Sequence, residues 1–471
     1  MKLRMTKAHF DQVRRVTADS FVSAVRFPPE TGCILLLTQN DHPGNPALLV
    51  AEVLPPNPGE LMEQAEDGLV FSPGYLRRAL FAVRERGLVG FLTVHTHPLS
   101  NQSVAFSRYD DANDPLLMSN LYELQPGARF GSMVLGKNSA AARLWPESGG
   151  APQLLDEWVI VGDQVEVVPL NGDPAGPEPE AAEIFDRARA LTGDGALARL
   201  SRMRVGVVGA SGTGSLAVEL LLRAGVGEIL IFDFDHAEPS NLNRVLHMRV
   251  TEAEQHTRKA DRLASVCHES GLPTRVISVP GGDIRNEDVA RELRACDVLL
   301  GCVDRDWPRL ILSEVSVQYL LPYIDLGTEI TAENELVRSL DARVSLVTPG
   351  YPCLTCAGIV SEERIRLEGL APDEQDRILA MGYSRDIRLQ APAVMELNMR
   401  AASLSMLLVR HLLQPFLDRP LPASIRESVT NYKIRTRHDQ GRPECPLCGS
   451  AGRWGLGDTG WLTVRAAAVT V

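Results

Sequence analysis

Basic residues are in short supply in this chain. Its 48 lysines and arginines stand against 60 aspartates and glutamates, for a net charge of −12 and a pI of about 5.4. A chain of that sign repels a phosphate backbone, so nucleic acid is not an expected partner, although a basic protein surface still fits. Long apolar runs are missing as well, and none approaches the roughly 20 residues that span a bilayer, so no membrane partner is expected. The opening stretch, MKLRMTKAHFDQVRRV, is amphipathic and charged. It has no apolar core of a secretory signal, which leads to the expectation of a cytoplasmic protein. Internal repeats and low-complexity tracts are absent. Cysteine is sparse, eight in 471 residues, and in a reducing compartment thiols are not expected to pair as disulfides. Four of the eight nevertheless form two C-x-x-C pairs, Cys353/Cys356 and Cys445/Cys448, a spacing that argues for metal.

A chain of this length exceeds what one core supports, so two or more domains are expected. Residues 1–150 read as mixed α/β. A charged helix is predicted over about residues 6–24, strands in TGCILLLTQ and ALLVAEVL, a helix in YLRRALFAVRERG, and a buried strand in LVGFLTVH. Further strands are predicted in FGSMVLG and ARLWP. Residues 151–183 read as the end of this domain and a linker, because NGDPAGPEPEAAE (171–183) is rich in proline, glycine and acid. From 184 to 450 short β-rich runs alternate with helical stretches: MRVGVVG, EILIFDFD, TRVISVP, DVLLGCVD and PYIDLGT. That alternation predicts a doubly wound parallel sheet of Rossmann type. Residues 361–415 read as mainly helical, and 451–471 as a C-terminal tail.

The stretch VHTHPLSNQSVAFSRYDDAND (94–114) carries the first constellation. Side chains alternate along a strand, so His95 and His97 share a face and can reach one metal. Asp110 supplies a third donor, Ser107 lies one turn before it, and a catalytic zinc site keeps its fourth position for water. Glu30, in FPPETGCILLL, is the candidate general base, ahead of Glu52 and Glu60. The plain alternatives are a polar strand face for the histidines and a helix cap for Ser107-x-x-Asp110. H-x-H-P followed by S-x-x-D, with P-x-E far upstream, resembles the JAMM/MPN metallopeptidase family over roughly residues 1–150. The resemblance implies zinc on His95, His97 and Asp110, Glu30 as base, and Ser107 as an oxyanion contact.

RVGVVGASGTGS leads a strand through glycines into the helix SLAVELLLRAG, a turn whose amides cradle phosphate. Gly212-x-Gly214-x-x-Ala217 with Asp233 downstream also suits a dinucleotide, so NAD is a rival on the glycines alone. Arg244 and Lys259, with Asp304 at the end of DVLLGCVD, favour ATP: cations for phosphates and a carboxylate for magnesium. G-x-x-G-x-G-S, D-F-D, S-N-L-N-R, the downstream K-A and the V-D-R strand end resemble the ThiF family over about residues 181–450. That family includes the ubiquitin-activating enzymes and bacterial relatives. The resemblance assigns Gly209, Gly212, Gly214, Asp233, Asp235, Asn243, Arg244, Lys259 and Asp304 to ATP and Mg2+. It has Arg187 reach the nucleotide of a neighbouring protomer, which implies a homodimer. Two departures stand out: Ser211 replaces a customary glycine, and Ala188 replaces the glutamine after the arginine.

Two C-x-x-C knuckles make a closed tetrahedral set, which implies structural zinc on Cys353, Cys356, Cys445 and Cys448. Together the resemblances imply a bifunctional enzyme of a bacterial ubiquitin-like modifier pathway. A zinc (iso)peptidase would process or remove the modifier, and an adenylating half would activate its C-terminal glycine. The implied partners are a ubiquitin-like protein and a conjugating-enzyme-like or sulfur-donor protein, and analogy with such pathways suggests antiviral defence. The alternatives are processing and activation of a sulfur carrier for cofactor or cysteine synthesis, and a non-catalytic scaffold.

Overall fold

Strand residues 33–37 show how the first sheet is layered. Cys33, Leu35 and Leu37 enter one apolar cluster, while Ile34 and Leu36 enter another on the opposite face. A continuous apolar strand of this kind is covered on both sides. The computed structural model describes residues 1–21, 28–64, 68–171, 182–333, 336–380 and 392–464. The chain divides into two units. The first holds Met1–Gly176 with Gln318–Leu320 and Trp454–Trp461, and the second holds the remainder.

In the first unit the elements run β1 (Lys2–Thr6), α1 (Lys7–Val16), β2 (Gly32–Asn40), β3 (Ala47–Leu54), β4 (Leu61–Gln64), β5 (Leu69–Phe71) and α2 (Pro73–Glu85). Then come β6 (Gly90–Thr96), α3 (Arg108–Leu124), β7 (Arg129–Leu135), β8 (Ala140–Trp145), β9 (Gln153–Leu154), β10 (Glu157–Val161) and β11 (Val165–Pro169). Nine strands form one sheet in the order β11-β10-β1-β3-β2-β6-β7-β8-β9, and β4 and β5 form a separate ribbon. Val13 of α1 packs on one face; Ala79 and Val83 of α2 and Met118 and Leu121 of α3 pack on the other.

Three sequence expectations change here. The N-terminal helix is α1 alone, ten residues capped by Thr6, and it stops well before residue 24, because Thr17 turns its N–H and its hydroxyl back to Val13 O; a strand that was not expected, Lys2–Thr6, precedes it and pairs in parallel with β10 and β3. The sheet continues past residue 150 through β9, β10 and β11, and residues 172–181 of the expected linker lie outside the described residues. Trp454–Trp461 is not a tail but part of this unit: Thr38 Oγ1 donates to Gly455 O, and Tyr319 OH donates to Asp458 Oδ1 at 3.0 Å. Residues 465–471 lie outside the described residues.

The second unit runs α4 (Asp186–Leu200), β12 (Arg204–Val208), α5 (Gly212–Ala224), β13 (Glu228–Phe232), α6 (Val250–Glu254), α7 (Lys259–Glu269), β14 (Arg275–Ser278) and α8 (Glu287–Glu292). It continues through β15 (Val298–Gly301), α9 (Asp306–Tyr319), β16 (Tyr323–Glu333), β17 (Leu336–Val347), α10 (Glu362–Glu368) and α11 (Pro372–Ala380). It ends with α12 (Met395–Leu413), β18 (Ser424–Ser428) and β19 (Lys433–Arg437). The sheet order is β14-β13-β12-β15-β16-β17-β18-β19. The first five strands are parallel and the last three add antiparallel. The doubly wound core expected from the alternation is therefore extended by an antiparallel edge.

The order reverses between β12 and β15, and open α/β sheets bind ligands outside the carboxyl ends of strands at such a switch. Helix α5 is held there by its apolar side: Leu216, Leu221 and Leu222 are buried in the core. Each contributes about 1.5–3 kcal/mol on burial. The exposed Glu219–Arg223 pair on the same helix contributes about 0.3–0.5 kcal/mol. Packing, not surface charge, fixes the turn that precedes α5.

Candidate functional site

The strand parity that layers the first sheet also aims its histidines. Leu92 and Val94 face the α1 side, Phe91 faces the α2/α3 side, and His95 follows Phe91 at even spacing. Strand β2 runs antiparallel to β6 with Gly32 opposite His95. The register continues past the strand ends, where Thr96 N donates to Thr31 O at 2.9 Å. Glu30 thereby comes beside His97, with Oε1 3.9 Å from Nε2.

The third element is α3. Ser107 is its N-cap, with a reciprocal capping box: Asp110 N donates to Ser107 Oγ at 3.1 Å and Ser107 N to Asp110 Oδ2 at 2.7 Å. The same carboxylate faces both imidazoles. His95 Nε2 lies 3.1 Å from Asp110 Oδ1, His97 Nε2 lies 3.3 Å from Oδ2, and the two Nε2 atoms are 3.2 Å apart. The cap and the ligand arrangement occupy the same residues. Burial works to lower the His95 pKa, but the Asp110 carboxylate bonded to it, with Glu30 and Asp114 nearby, raises it on balance. Burial works to raise the Asp110 pKa, and the two histidines with the Ser107 amide outweigh it, holding that carboxyl well below the usual range. Glu30, His95 and His97 also bring three ligand atoms within 4.8 Å of one another. Asp110 makes the shorter contacts to the rings, and Glu30 stands further out, 3.9 Å from His97 Nε2. A buried and a half-buried imidazole with carboxylates this close fit zinc's nitrogen and oxygen preference. Glu52 and Glu60 are engaged elsewhere, by Arg86 and Arg78.

In the second unit β12 ends at Val208, and Gly209 turns with φ +95°. A Cβ there would stand 2.5 Å from Cys302 O, and one on Gly214 would stand 1.7 Å from Gly209 O. Ser211 is the N-cap of α5 and makes no side-chain cap bond, so the departure from glycine is accommodated without blocking the helix amides. Asp233, just past β13, is buried and accepts from Ala210 N at 2.5 Å and Asp235 N at 2.7 Å. Burial pushes its carboxyl up, against the pull of those amides. Lys259 is buried, and its Nζ lies 3.2 Å from Asp235 Oδ2. Arg244 reaches back to Ser240 O and, at 3.1 Å, to Asn243 Oδ1. Asp304 is exposed three residues beyond β15. Arg187 is exposed on the first turn of α4, followed by Ala188. A glycine turn, an uncapped helix start, buried Asp233 and Lys259 and an exposed carboxylate at the switch point fit a nucleotide triphosphate with its cation.

Three features escaped the sequence reading. A Cβ on Gly282, with φ +66°, would meet the Asp233 backbone at 2.4–2.8 Å, so this glycine packs directly on Asp233. Asn398 of α12 is buried and lies 2.3 Å from where a Gly212 Cβ would stand. Its signal was an amide on the mainly apolar buried side of α12, which also carries Ser405 and His411. Asp325, fully buried on β16, accepts from Arg309 Nε at 3.0 Å, Arg343 Nη2 at 2.7 Å and Tyr323 OH at 2.9 Å. The cations lie 16 residues before it and 18 after it, beyond any local spacing rule.

The four paired cysteines do converge, with ligand atoms all within 4.8 Å of one another. Cys353 Sγ lies 3.9 Å from Cys445 Sγ, and Cys448 Sγ lies 3.6 Å from Cys356 Sγ. A tetrahedron with zinc–sulfur bonds of about 2.3 Å has edges of about 3.8 Å, so the set fits zinc. The hydrogen bond from Cys448 holds the Cys353 thiol below the usual thiol range, against the effect of burial.

Fold and site together define a nucleotide-binding α/β unit with a four-cysteine cluster near its C-terminal end. The ThiF family model matches residues 185–442, and the chain belongs to that family. Ubiquitin-like modifier-activating enzyme 5 of Dictyostelium discoideum is 25% identical over 193 residues, 36% of this chain and 47% of that protein. The Gallus gallus enzyme of the same name is 24% identical over 285 residues, 55% and 69% of the two chains. Sulfur carrier protein ThiS adenylyltransferase of Bacillus subtilis (strain 168) is 26% identical over 162 residues, 34% and 44%. The chain spans about half the length of most of these curated relatives. A crystal structure of E. coli MccB aligns over 56% of this chain and 74% of that one, with 17% identity and a TM-score of 0.44. The family match begins at residue 185 and does not reach the histidine site.

Replacing Cys445 by serine is expected to remove slowly exchanging zinc from the purified chain. The unfolding midpoint should fall by at least about 5 °C, because structural zinc binding is part of the folding free energy. Metal analysis with calorimetry reads both; unchanged zinc content would count against a four-thiolate site.

Proposed function

We propose that this chain is an ATP-dependent adenylyltransferase that activates the C-terminal carboxylate of a ubiquitin-like or sulfur-carrier protein. The observation that carries the reading is the corner at the switch point of a ThiF-family unit: Asp233 accepts from Ala210 N in the Gly209–Gly214 turn, Lys259 Nζ lies 3.2 Å from Asp235 Oδ2, and Gly209 packs on Cys302, two residues before Asp304. The turn amides and Lys259 would bind phosphate oxygens, Asp233 the ribose hydroxyls, and Arg244 would neutralise charge on the triphosphate. Asp304 would hold magnesium, which neutralises phosphate charge. Arg187 would complete the site of a neighbouring protomer. The relatives' names embrace both modifier activation and sulfur-carrier adenylylation.

The cysteines favour the sulfur-carrier version over a thioester-forming modifier pathway. Cys33, Cys267, Cys296 and Cys302 are all buried, and burial pushes the Cys33 thiol up to about 12 and the Cys267 thiol up to about 11. Cys302 is pushed up as well. Such thiols are poor nucleophiles. The other four cysteines form the cluster, and residues 357–398 contain no cysteine in the sequence. On this reading the enzyme stops at the acyl-adenylate and passes the carrier to a partner.

A second activity, zinc-dependent amide hydrolysis by the first unit, rests on the His95, His97 and Asp110 geometry. These residues would hold zinc, which when bound polarises a carbonyl and lowers the pKa of water to about 7. Glu30 would accept a proton on its carboxylate, and Ser107 would donate to the carbonyl oxygen.

Pyrophosphate exchange into ATP is expected only with a glycine-ended carrier present, and Asp304→Ala should reduce it about 100-fold or more. NAD binding without exchange would sink the reading. Glu30→Gln should keep its zinc and lose cleavage of a carrier precursor or conjugate by about 10²–10⁴-fold; full activity would refute Glu30 as the base. On a non-reducing denaturing gel, enzyme, ATP and carrier should give no thiol-sensitive adduct. A band lost in one cysteine variant, Cys302 first, would show a nucleophile instead.

A further inference from the structure

We propose that Arg143 is a positioning residue that sets the Asp110 carboxylate against His95 and His97. The inference rests on the reading of those three residues as a zinc site. Arg143 lies on β8 opposite Ser132 of β7, and it is 5% exposed. Its guanidinium reaches α3 twice: Nη1 lies 2.6 Å from Asp111 Oδ1 and Nη2 lies 2.8 Å from Asp114 Oδ2. Its Cζ stands 3.7 Å from the centre of the Phe106 ring. Ser132 Oγ donates to Asp114 Oδ2, and Arg143 Nε reaches both the same oxygen, at 3.2 Å, and Ser132 Oγ, at 3.3 Å.

The contacts fall at residues 106, 111 and 114, on both sides of Ser107 and Asp110. One rigid, planar cation therefore ties the segment entering α3, the helix's first turn and its second turn to the edge of β7 and β8. The capping box fixes Asp110 relative to Ser107. Only an anchor to the sheet fixes it relative to the strand that carries the histidines. A buried ion pair adds little stability over an apolar replacement of the same volume, so stability alone does not account for a buried Arg143–Asp114 pair here. Groups that orient metal ligands from behind change metal affinity by about 10–100-fold when lost.

The test is a zinc titration of the full chain against a competing chromophoric chelator, with thermal unfolding of the metal-stripped protein measured in parallel. Wild type should show a readily chelated site that His95→Ala removes. Arg143→Met should weaken it about 10–100-fold. Arg143→Lys should recover only part, because a point charge does not reproduce the fork. Ser132→Ala, a milder change, should weaken binding several-fold with little loss of thermal stability, and it carries the test should Arg143→Met not fold. Wild-type affinity in both Ser132→Ala and Arg143→Lys would overturn the positioning role, even with lowered thermal stability. Absence of a His95-dependent site in wild type would overturn the zinc reading and this inference with it.

Discussion

The parallel pairing of β12 with β15 is the constraint on which the nucleotide site depends. Val208 pairs with Gly301, and Cys302 N donates to Val208 O at 2.8 Å. Two chain segments leave the sheet side by side, one toward α5 and one toward Asp304. They come so close that a Cβ on Gly209 would overlap the Cys302 carbonyl. The start of α5 lies equally close on Gly209 O, which only Gly214 permits. The glycines are therefore not loose linkers. They let a helix start, a strand end and a carboxylate-bearing loop share one corner, and Asp233 then bonds Ala210 N within that corner.

Where the sequence was legible, the physics was local. Strand and helix alternation predicts the parallel part of the second sheet, because each run is short, apolar and bounded. The C-x-x-C pairs announce their own geometry in the same way. What could not be read is long-range: β17, β18 and β19 add an antiparallel edge through pairings that only the folded chain reveals. Asp325 was invisible for the same reason, since its two arginines come from α9 and β17. The β1 strand was not predicted, because its five residues, KLRMT, mix charged and apolar side chains and form a strand only through their pairing with β10 and β3. Trp454–Trp461 looked like a tail because nothing in its composition marks Gly455 as an acceptor for Thr38.

The histidine site shows why two sequence readings of one motif need not compete. Ser107-x-x-Asp110 is a capping box, and it is also the means by which a carboxylate is presented to two imidazoles. A cap is worth about 1 kcal/mol to the helix. Beyond that it fixes the Asp110 rotamer, so local helix chemistry prepares the geometry that a metal would need. The antiparallel register of β2 on β6 does the equivalent for Glu30, a residue 65 positions before His95. The sequence names Glu30 as a candidate, and the register gives the physical reason it stands beside His97.

Under the proposed reading the two sites belong to one chemical sequence. Hydrolysis of an amide at the C-terminal glycine of a carrier yields a free carboxylate, and adenylation consumes a free carboxylate. An adenylating site cannot act on a carrier whose terminus is still masked, so an activity that exposes it must come first. The acidic chain, with its net charge of −12, would then favour carriers whose docking surface is basic rather than acidic. That selectivity would act on encounter rate, where long-range charge has its largest effect, and would weaken with added salt.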